Sequence, residues 1–191
     1  GIDAAHRLTI MAAIAFGIPM QFDKVYTEGI TKLTGEDIRY AEQLGYRIKL
    51  LGITRRRPEG VELRVHPTLI PAKRLIASVE GAMNAVWVKA DAVGHTMYYG
   101  KGAGAEPTAS AVIADLVDVA RAFAVPAGLR VPSLAFQADA VIDTAVLARE
   151  HIESAYYVRL RVEDQPGVLA DITRILADGG ISLDAVLQRE P

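Results

Sequence analysis

Cysteine is absent from the 191 residues, which excludes disulfides and thiolate-ligated metals and fits a reducing cytosol. No apolar run reaches the ~18 residues of a membrane span. Neither sign of charge dominates. The 21 Lys and Arg against 23 Asp and Glu leave a net charge of −2 and a pI near 6.1, which argues against nucleic acid as the main partner. The one basic run, Arg55-Arg56-Arg57, stops at Pro58 and reads as a hairpin tip. An initiator Met and a basic leader are also lacking, so the sequence reads as an excised piece of a longer protein. His66 and His95 lie in separate strand and turn contexts without metal-ligand spacing, His6 reads as structural, and His151 begins a charged linker end.

What is present is enough for a packed core: 51% of the residues are hydrophobic, and the length allows one or two domains. Asp3 to Phe16 is rich in Ala, Leu and Met and predicts a helix ended by Gly17-Ile18-Pro19. Asp3 and Arg7 stand one turn apart on one face of it. Such a pair is either an ordinary surface ion pair or an acid and a fixed cation presented together to a ligand.

Thr34 with Asp37 three residues later is a capping-box-like start for a second helix, which carries Ile38, Ala41 and Leu44 on one face and ends at Gly45. Tyr46–Thr54 and Val61–His66 predict an antiparallel hairpin. The second strand alternates, implying one buried and one wet face, and Pro67 and Pro71 are expected to end it. A short helical segment near Pro71–Ser78 comes next. Asn84–Ala90 and Thr96–Tyr99 then form two more strands. Residues 20–100 thus read as helices packed on one face of an antiparallel sheet, an α+β architecture.

Tyr98 to Pro107 is a short strand feeding a glycine-rich loop, with Gly100, Gly102 and Gly104 ahead of a helix entered at Pro107 or Thr108. Bare backbone before a helix N-terminus suits a phosphate or another anion, and Lys101 could assist; the plain alternative is a tight turn. Residues 123–154 read as a linker by their Pro and Gly content, with a helix or extended arm possible around Ala138–Glu150. Ala155–Val162, Val168–Asp178 and Ile181–Gln188 predict strand, helix and strand, with Leu169, Ile172, Ile175 and Leu176 buried. This is half of a small domain, unable to bury its own apolar faces.

Several motifs then agree in order. Gly1-Ile2-Asp3-Ala4-Ala5-His6-Arg7 resembles the G-x-D-x-x-x-K signature of homoserine dehydrogenase. Gln21 to Ile30 and Leu33 to Ile38 resemble the segment C-terminal to that signature in the family, and Gly102 to Val112 resembles its glycine loop and returning helix. Val162 to Leu169 is similar to the D-x-P-G-V-L opening of an ACT domain. The resemblance covers almost the whole chain.

It implies interconversion of aspartate 4-semialdehyde and homoserine with NADP or NAD, on the cytoplasmic pathway to threonine and methionine, in a homodimer or homotetramer without nucleic-acid or membrane partners. It implies a substrate and dimerisation domain at 1–98 and a return to an absent nucleotide-binding domain at 99–122. After the 123–154 linker, it implies a truncated ACT-like β-α-β segment at 155–191. By motif position Asp3 would bind substrate, Arg7 would occupy the catalytic Lys position, and Gly104, Gly102 and Thr108 would meet the cofactor. Asp164 and Gly167 would contact an amino acid effector, with threonine the family expectation. Without its nucleotide domain the piece would be inactive. The competing reading is a non-catalytic dimerisation and amino-acid-binding module. The departure is Arg7: an arginine holds its proton where a lysine can be tuned to release one.

Overall fold

Helix α1 (Ile2–Phe16) packs across two neighbouring strands, with Leu8 over Gly52 of one, and its buried contact with the other is the core of the molecule. Ala5, Leu8 and Ala12 recur at helical spacing and meet Val61, Leu63 and Val65, which recur at strand spacing. Gly17 ends the helix in the left-handed region (φ 63°), and its N–H donates to the Ala13 carbonyl at 3.0 Å. The structure is a computed structural model and describes residues 1–188; the last three residues of the expected 155–191 unit lie outside the described residues.

The strand that forms this core with α1 is β3 (Gly60–Pro71), the middle of a three-stranded sheet ordered β1-β3-β2. Strand β1 (Tyr26–Thr27) runs parallel to it with Tyr26 opposite Arg64. Strand β2 (Tyr46–Arg57) is antiparallel, from Tyr46 opposite Pro71 to Arg57 opposite Gly60. The expected hairpin is present but longer. Arg55–Arg57 belong to the β2 ladder, and the turn falls on Pro58-Glu59. Pro67 does not end β3. The β1 pairing stops opposite Val65, so Pro67 sits on an edge, where a missing donor is tolerated.

The expected wet face of β3 is buried instead. Glu62 and Arg64 are 1% and 5% exposed. The chain beyond residue 140 returns along the β3 edge that β1 leaves open, and further on Arg149 stacks over Tyr26, the residue opposite Arg64. Gln21 donates from Nε2 to the Thr144 carbonyl, and the Ile142 N–H bonds to the Gly17 carbonyl. Val61 exchanges bonds with this strap: its N–H donates to Ala145, and its carbonyl accepts from Leu147, both at 2.9 Å. Val146 therefore pairs with Val61 in parallel. Of the two alternatives for 138–150, the extended arm is the one formed, with 3₁₀ turns only at Ala138–Ala140 and Arg149–His151.

Helix α2 (Gly35–Gln43) has the expected capping box: Thr34 and Asp37 each accept from the other's backbone N–H. Strands β4 (Met83–Lys89) and β5 (His95–Lys101) pair only with each other, so residues 20–100 hold a sheet and a separate ribbon rather than one sheet. Helix α3 (Ala105–Phe123) follows directly and buries no residue. Helix α4 (Val168–Asp178) forms as expected, but neither flanking segment joins a ladder among the described residues. Without a sheet beneath it, α4 buries none of Leu169, Ile172, Ile175 or Leu176. A lone strand leaves its backbone groups unpaired, and the segment before α4 instead fixes itself by side chains. Tyr157 and Arg159 reach the Asp37 carboxylate, and Arg159 also pairs with Glu36. The α+β class stands, with the ACT-like region contributing a helix between unladdered arms.

No helix among the described residues is long and apolar enough to cross a membrane.

Candidate functional site

The apolar stripe of α1 faces β3, which turns Asp3 and Arg7 outward at the start of the helix. Their side chains are 79% and 52% exposed, and Arg7 Nη2 lies 2.8 Å from Asp3 Oδ2. An exposed pair of this kind contributes at most about 1 kcal/mol to stability, so folding alone gives little reason for it. The N-terminus of α1 abuts the Thr27–Glu28 backbone: a Cβ at Gly1 would stand 2.8 Å from Thr27 Cγ2. Glu28 is held there by the Tyr26 hydroxyl, which donates to its Oε2 at 2.8 Å.

Arg7 also reaches across to the β4–β5 ribbon. Its Nη1 donates to Asn84 Oδ1 at 3.4 Å. Asn84, the second residue of β4, lies opposite Gly100, and its Nδ2 donates to the Ala82 carbonyl at 3.4 Å. The Gly102 N–H donates to the same carbonyl at 3.2 Å. A side chain at 102 would overlap the Asn84 amide. Asp3, Arg7, Asn84 and Gly102 therefore form one continuous chain of contacts from α1 to the glycine loop. Asn84 also borders two shallow clefts of about 230 and about 220 Å³; Tyr99 and Lys101 line the first, and Lys49 and Met83 the second.

The glycine loop hands over directly to α3. Gly104 occupies its N-cap at φ 127°, a conformation that strains any other residue. The helix starts earlier than Pro107: the Thr108 N–H already donates to the Gly104 carbonyl at 3.1 Å. The N–H groups pointing out of the helix start are thus those of Ala105 and Glu106, since Pro107 has none. Bare backbone at Gly102 and Gly104, with two outward donors behind it, fits an anionic group.

The other singled-out residues lie elsewhere. Gly167, at φ 97°, is the N-cap of α4, and its carbonyl accepts from the Asp171 N–H at 2.9 Å. Asp164 sits in the exposed loop before it. Among the described residues, the hydrogen bonds and ion pair of the Asp3–Arg7 cluster run to Asn84 and within α1, and reach neither Asp164 nor Gly167. The His6 ring packs on Phe22 with centroids 4.1 Å apart, and His95 packs on Trp87. His66 bridges the Arg64 guanidinium and the Pro67 carbonyl, which calls for an unprotonated Nε2 and a proton on Nδ1. The described residues contain no group of three or more His, Cys, Asp or Glu able to hold a metal ion.

Asn84 escapes a reading of the sequence because no local pattern marks it. The available signal is strand register: pairing the two strands places Asn84 beside Gly100 and hence beside the glycine loop.

Comparison with known proteins bears on these residues. The family model described as homoserine dehydrogenase matches residues 1–117, and the ACT domain model matches residues 156–191. A homoserine dehydrogenase of Pseudomonas aeruginosa is 62% identical over 190 residues, spanning 100% of this chain and 44% of that protein. One from Bacillus subtilis is 35% identical over 188 residues, spanning 98% and 42%. The crystal structure of a homoserine dehydrogenase from Thiobacillus denitrificans superposes with a TM-score of 0.93 at 68% identity, covering 99% of this chain and 44% of that one. A Staphylococcus aureus homoserine dehydrogenase superposes with a TM-score of 0.60 at 41% identity over 73% of this chain. The chain spans less than half the length of the curated relatives it matches.

Proposed function

The chain belongs to the homoserine dehydrogenase family, and we propose that it is the substrate-binding and regulatory portion of an enzyme interconverting aspartate 4-semialdehyde and homoserine. In this reading residues 1–98 bind substrate and form the subunit contact, and residues 99–122 return to a nucleotide-binding domain. Residues 123–154 link these to an ACT-like unit at 155–191. The observation that carries the reading is the contact chain Asp3–Arg7–Asn84–Gly102, which connects the family's signature helix to its glycine loop.

The Asp3 carboxylate suits the substrate ammonium, a charge-assisted contact favoured at this exposed helix start. NADP or NAD, when bound, supplies or accepts the hydride at the aldehyde carbon. Gly102, Gly104 and the outward N–H groups of Ala105 and Glu106 would meet its polar edge, with Thr108 behind them in the first turn. As hydride reaches the carbonyl carbon, negative charge grows on the oxygen. Arg7 can donate hydrogen bonds to that oxygen and hold its charge. It cannot supply the proton near neutral pH, so the proton comes from water. Hydride plus proton balance the reduction of aldehyde to alcohol.

The same reading assigns Asp164 and Gly167 to an amino acid effector such as threonine, and expects a homodimer or homotetramer in the cytoplasm. The exposed apolar faces of α3 and α4 support the presence of further covering surfaces in the complete protein. Val112, Ile113 and Leu116 on α3 are all more than half exposed.

The test is a side-by-side assay of residues 1–191 and of the complete protein, with homoserine and each nicotinamide cofactor. The complete protein should turn over and residues 1–191 alone should not. In the complete protein, Asp3→Asn should raise KM for homoserine by roughly ten- to a hundredfold, the loss of one charge-assisted contact. Turnover by residues 1–191, or an unchanged KM in the variant, contradicts the reading.

A further inference from the structure

The geometry points to Asn84 as the positioning residue that aims Arg7, and to Gly102 as the residue that makes room for it. The inference rests on the dehydrogenase reading above and assigns a residue that the family signature does not contain.

Three observations converge on the Asn84 carboxamide. Its oxygen faces a guanidinium N–H at 3.4 Å, and its nitrogen faces the Ala82 carbonyl at 3.4 Å. Only one orientation of the amide satisfies both neighbours: rotated by half a turn, it would set N–H against N–H and oxygen against oxygen. The side chain is therefore oriented by its surroundings. Its anchor is shared, because the Gly102 N–H holds the same Ala82 carbonyl. A Cβ at 102 would overlap the carboxamide itself, so the space beside the loop is shaped to Asn84.

The consequence for Arg7 is directional. A long side chain on an exposed helix face samples many rotamers. Asp3 restrains Arg7 from within α1, and Asn84 restrains it from the ribbon. Two restraints from different elements fix where the remaining guanidinium donors point. The choice of an amide matters. Asp3 already offsets the Arg7 charge, so a second carboxylate at 84 would leave the cluster net negative where a developing oxyanion needs a cation, whereas an amide adds a restraint without further negative charge. Because Gly102 leads into the loop assigned to the cofactor, movement of that loop would be felt at Arg7 through Asn84.

The test uses the complete enzyme and four proteins: wild type, Asn84→Ala, Gly102→Ala and the double variant. Asn84→Ala should lower kcat by roughly tenfold or more, with KM for the nicotinamide cofactor little changed and melting temperature preserved. Gly102→Ala should displace Asn84 and lower kcat similarly. The double variant should be no worse than the poorer single variant, because the overlap disappears with the amide. Independent losses that multiply, or a wild-type kcat in Asn84→Ala, would overturn the assignment.

A second readout does not depend on turnover. In the ¹⁵N-arginine NMR spectrum, the Arg7 guanidinium should rotate and exchange its protons faster in Asn84→Ala and in Gly102→Ala than in wild type. Unchanged Arg7 dynamics would overturn the positioning role even if the wild-type enzyme showed no homoserine turnover, which by itself would count against the dehydrogenase reading.

Discussion

Arg159 Nε lies 2.9 Å from Asp37 Oδ1, tying the segment that precedes α4 to the N-terminus of α2, more than a hundred residues away in sequence. The same carboxylate accepts from the Thr34 N–H and hydroxyl and from the Tyr157 hydroxyl. One side chain thus caps a helix and anchors the ACT-like arm. Asp37 is buried, and the Tyr157 hydroxyl is pushed up in pKa by burial and by its bond to Asp37.

The Thr34 hydrogen bonds hold the Asp37 carboxyl below its ordinary value of 3.8, with help from Tyr157 and Arg159 against the cost of burial. A folded pKa below the unfolded one stabilises the protein at pH values above the unfolded value. That contribution disappears as pH falls through the folded value. Asp37→Ala should therefore cost about 1–2 kcal/mol in urea unfolding at pH 7, the range for losing a helix cap. The gap between wild type and variant should narrow once pH drops below 3.8. A gap that stayed constant with pH would mean that the carboxylate charge contributes nothing.

Glu62 and Arg64 give a second prediction. Both are buried on β3, and Glu62 Oε1 accepts from Arg57 Nε at 2.7 Å. Glu62 Oε2 and Arg64 Nε face each other at 3.3 Å as an ion pair without hydrogen-bond alignment. Burial pushes the Arg64 guanidinium down in pKa, opposed by the Glu62 charge. Removing one partner leaves the other buried and uncompensated. Glu62→Leu should thus destabilise by about 3–5 kcal/mol, whereas Glu62→Leu with Arg64→Met should recover most of the loss. Chemical denaturation of both variants decides it; equal losses would show that the charges do not compensate each other.

Gly60 gives a third. A side chain there would overlap the Ala145 carbonyl, the group that accepts from the Val61 N–H. Gly60→Ala should lift the strap off β3 and raise hydrogen exchange at the Val61 and Leu147 amides. The α1 amides should stay protected, because Ala5 and Leu8 pack on the β3 side chains. Equal loss of protection in α1 would mean that strap and core unfold as one unit.

The features legible in the sequence are those that short-range chemistry controls. The α1 stop at Gly17, the Thr34–Asp37 box, the β2–β3 hairpin and the α4 boundaries each depend on residues a few positions apart. The burial of Glu62 and Arg64 is illegible there, because alternation marks two faces but cannot say that distant segments of the chain close off the second. The exposure of α4 escapes for the converse reason: a periodic apolar face predicts burial only where something lies beneath it. Asp3 and Arg7 are marked by their spacing together with the signature motif they fall in. Asn84 requires the register of β4 on β5 and the close approach of Gly102.

In the proposed mechanism Arg7 holds the reacting oxygen without delivering its proton. The most direct measurement is kcat for Arg7→Lys in the complete enzyme across pH. A lysine at this position can act as a tuned acid, so kcat should rise, by roughly tenfold or more if proton transfer limits turnover. The pH profile should gain a limb belonging to the new ammonium group. A kcat equal to or below that of the arginine enzyme, with no new limb, would contradict the account.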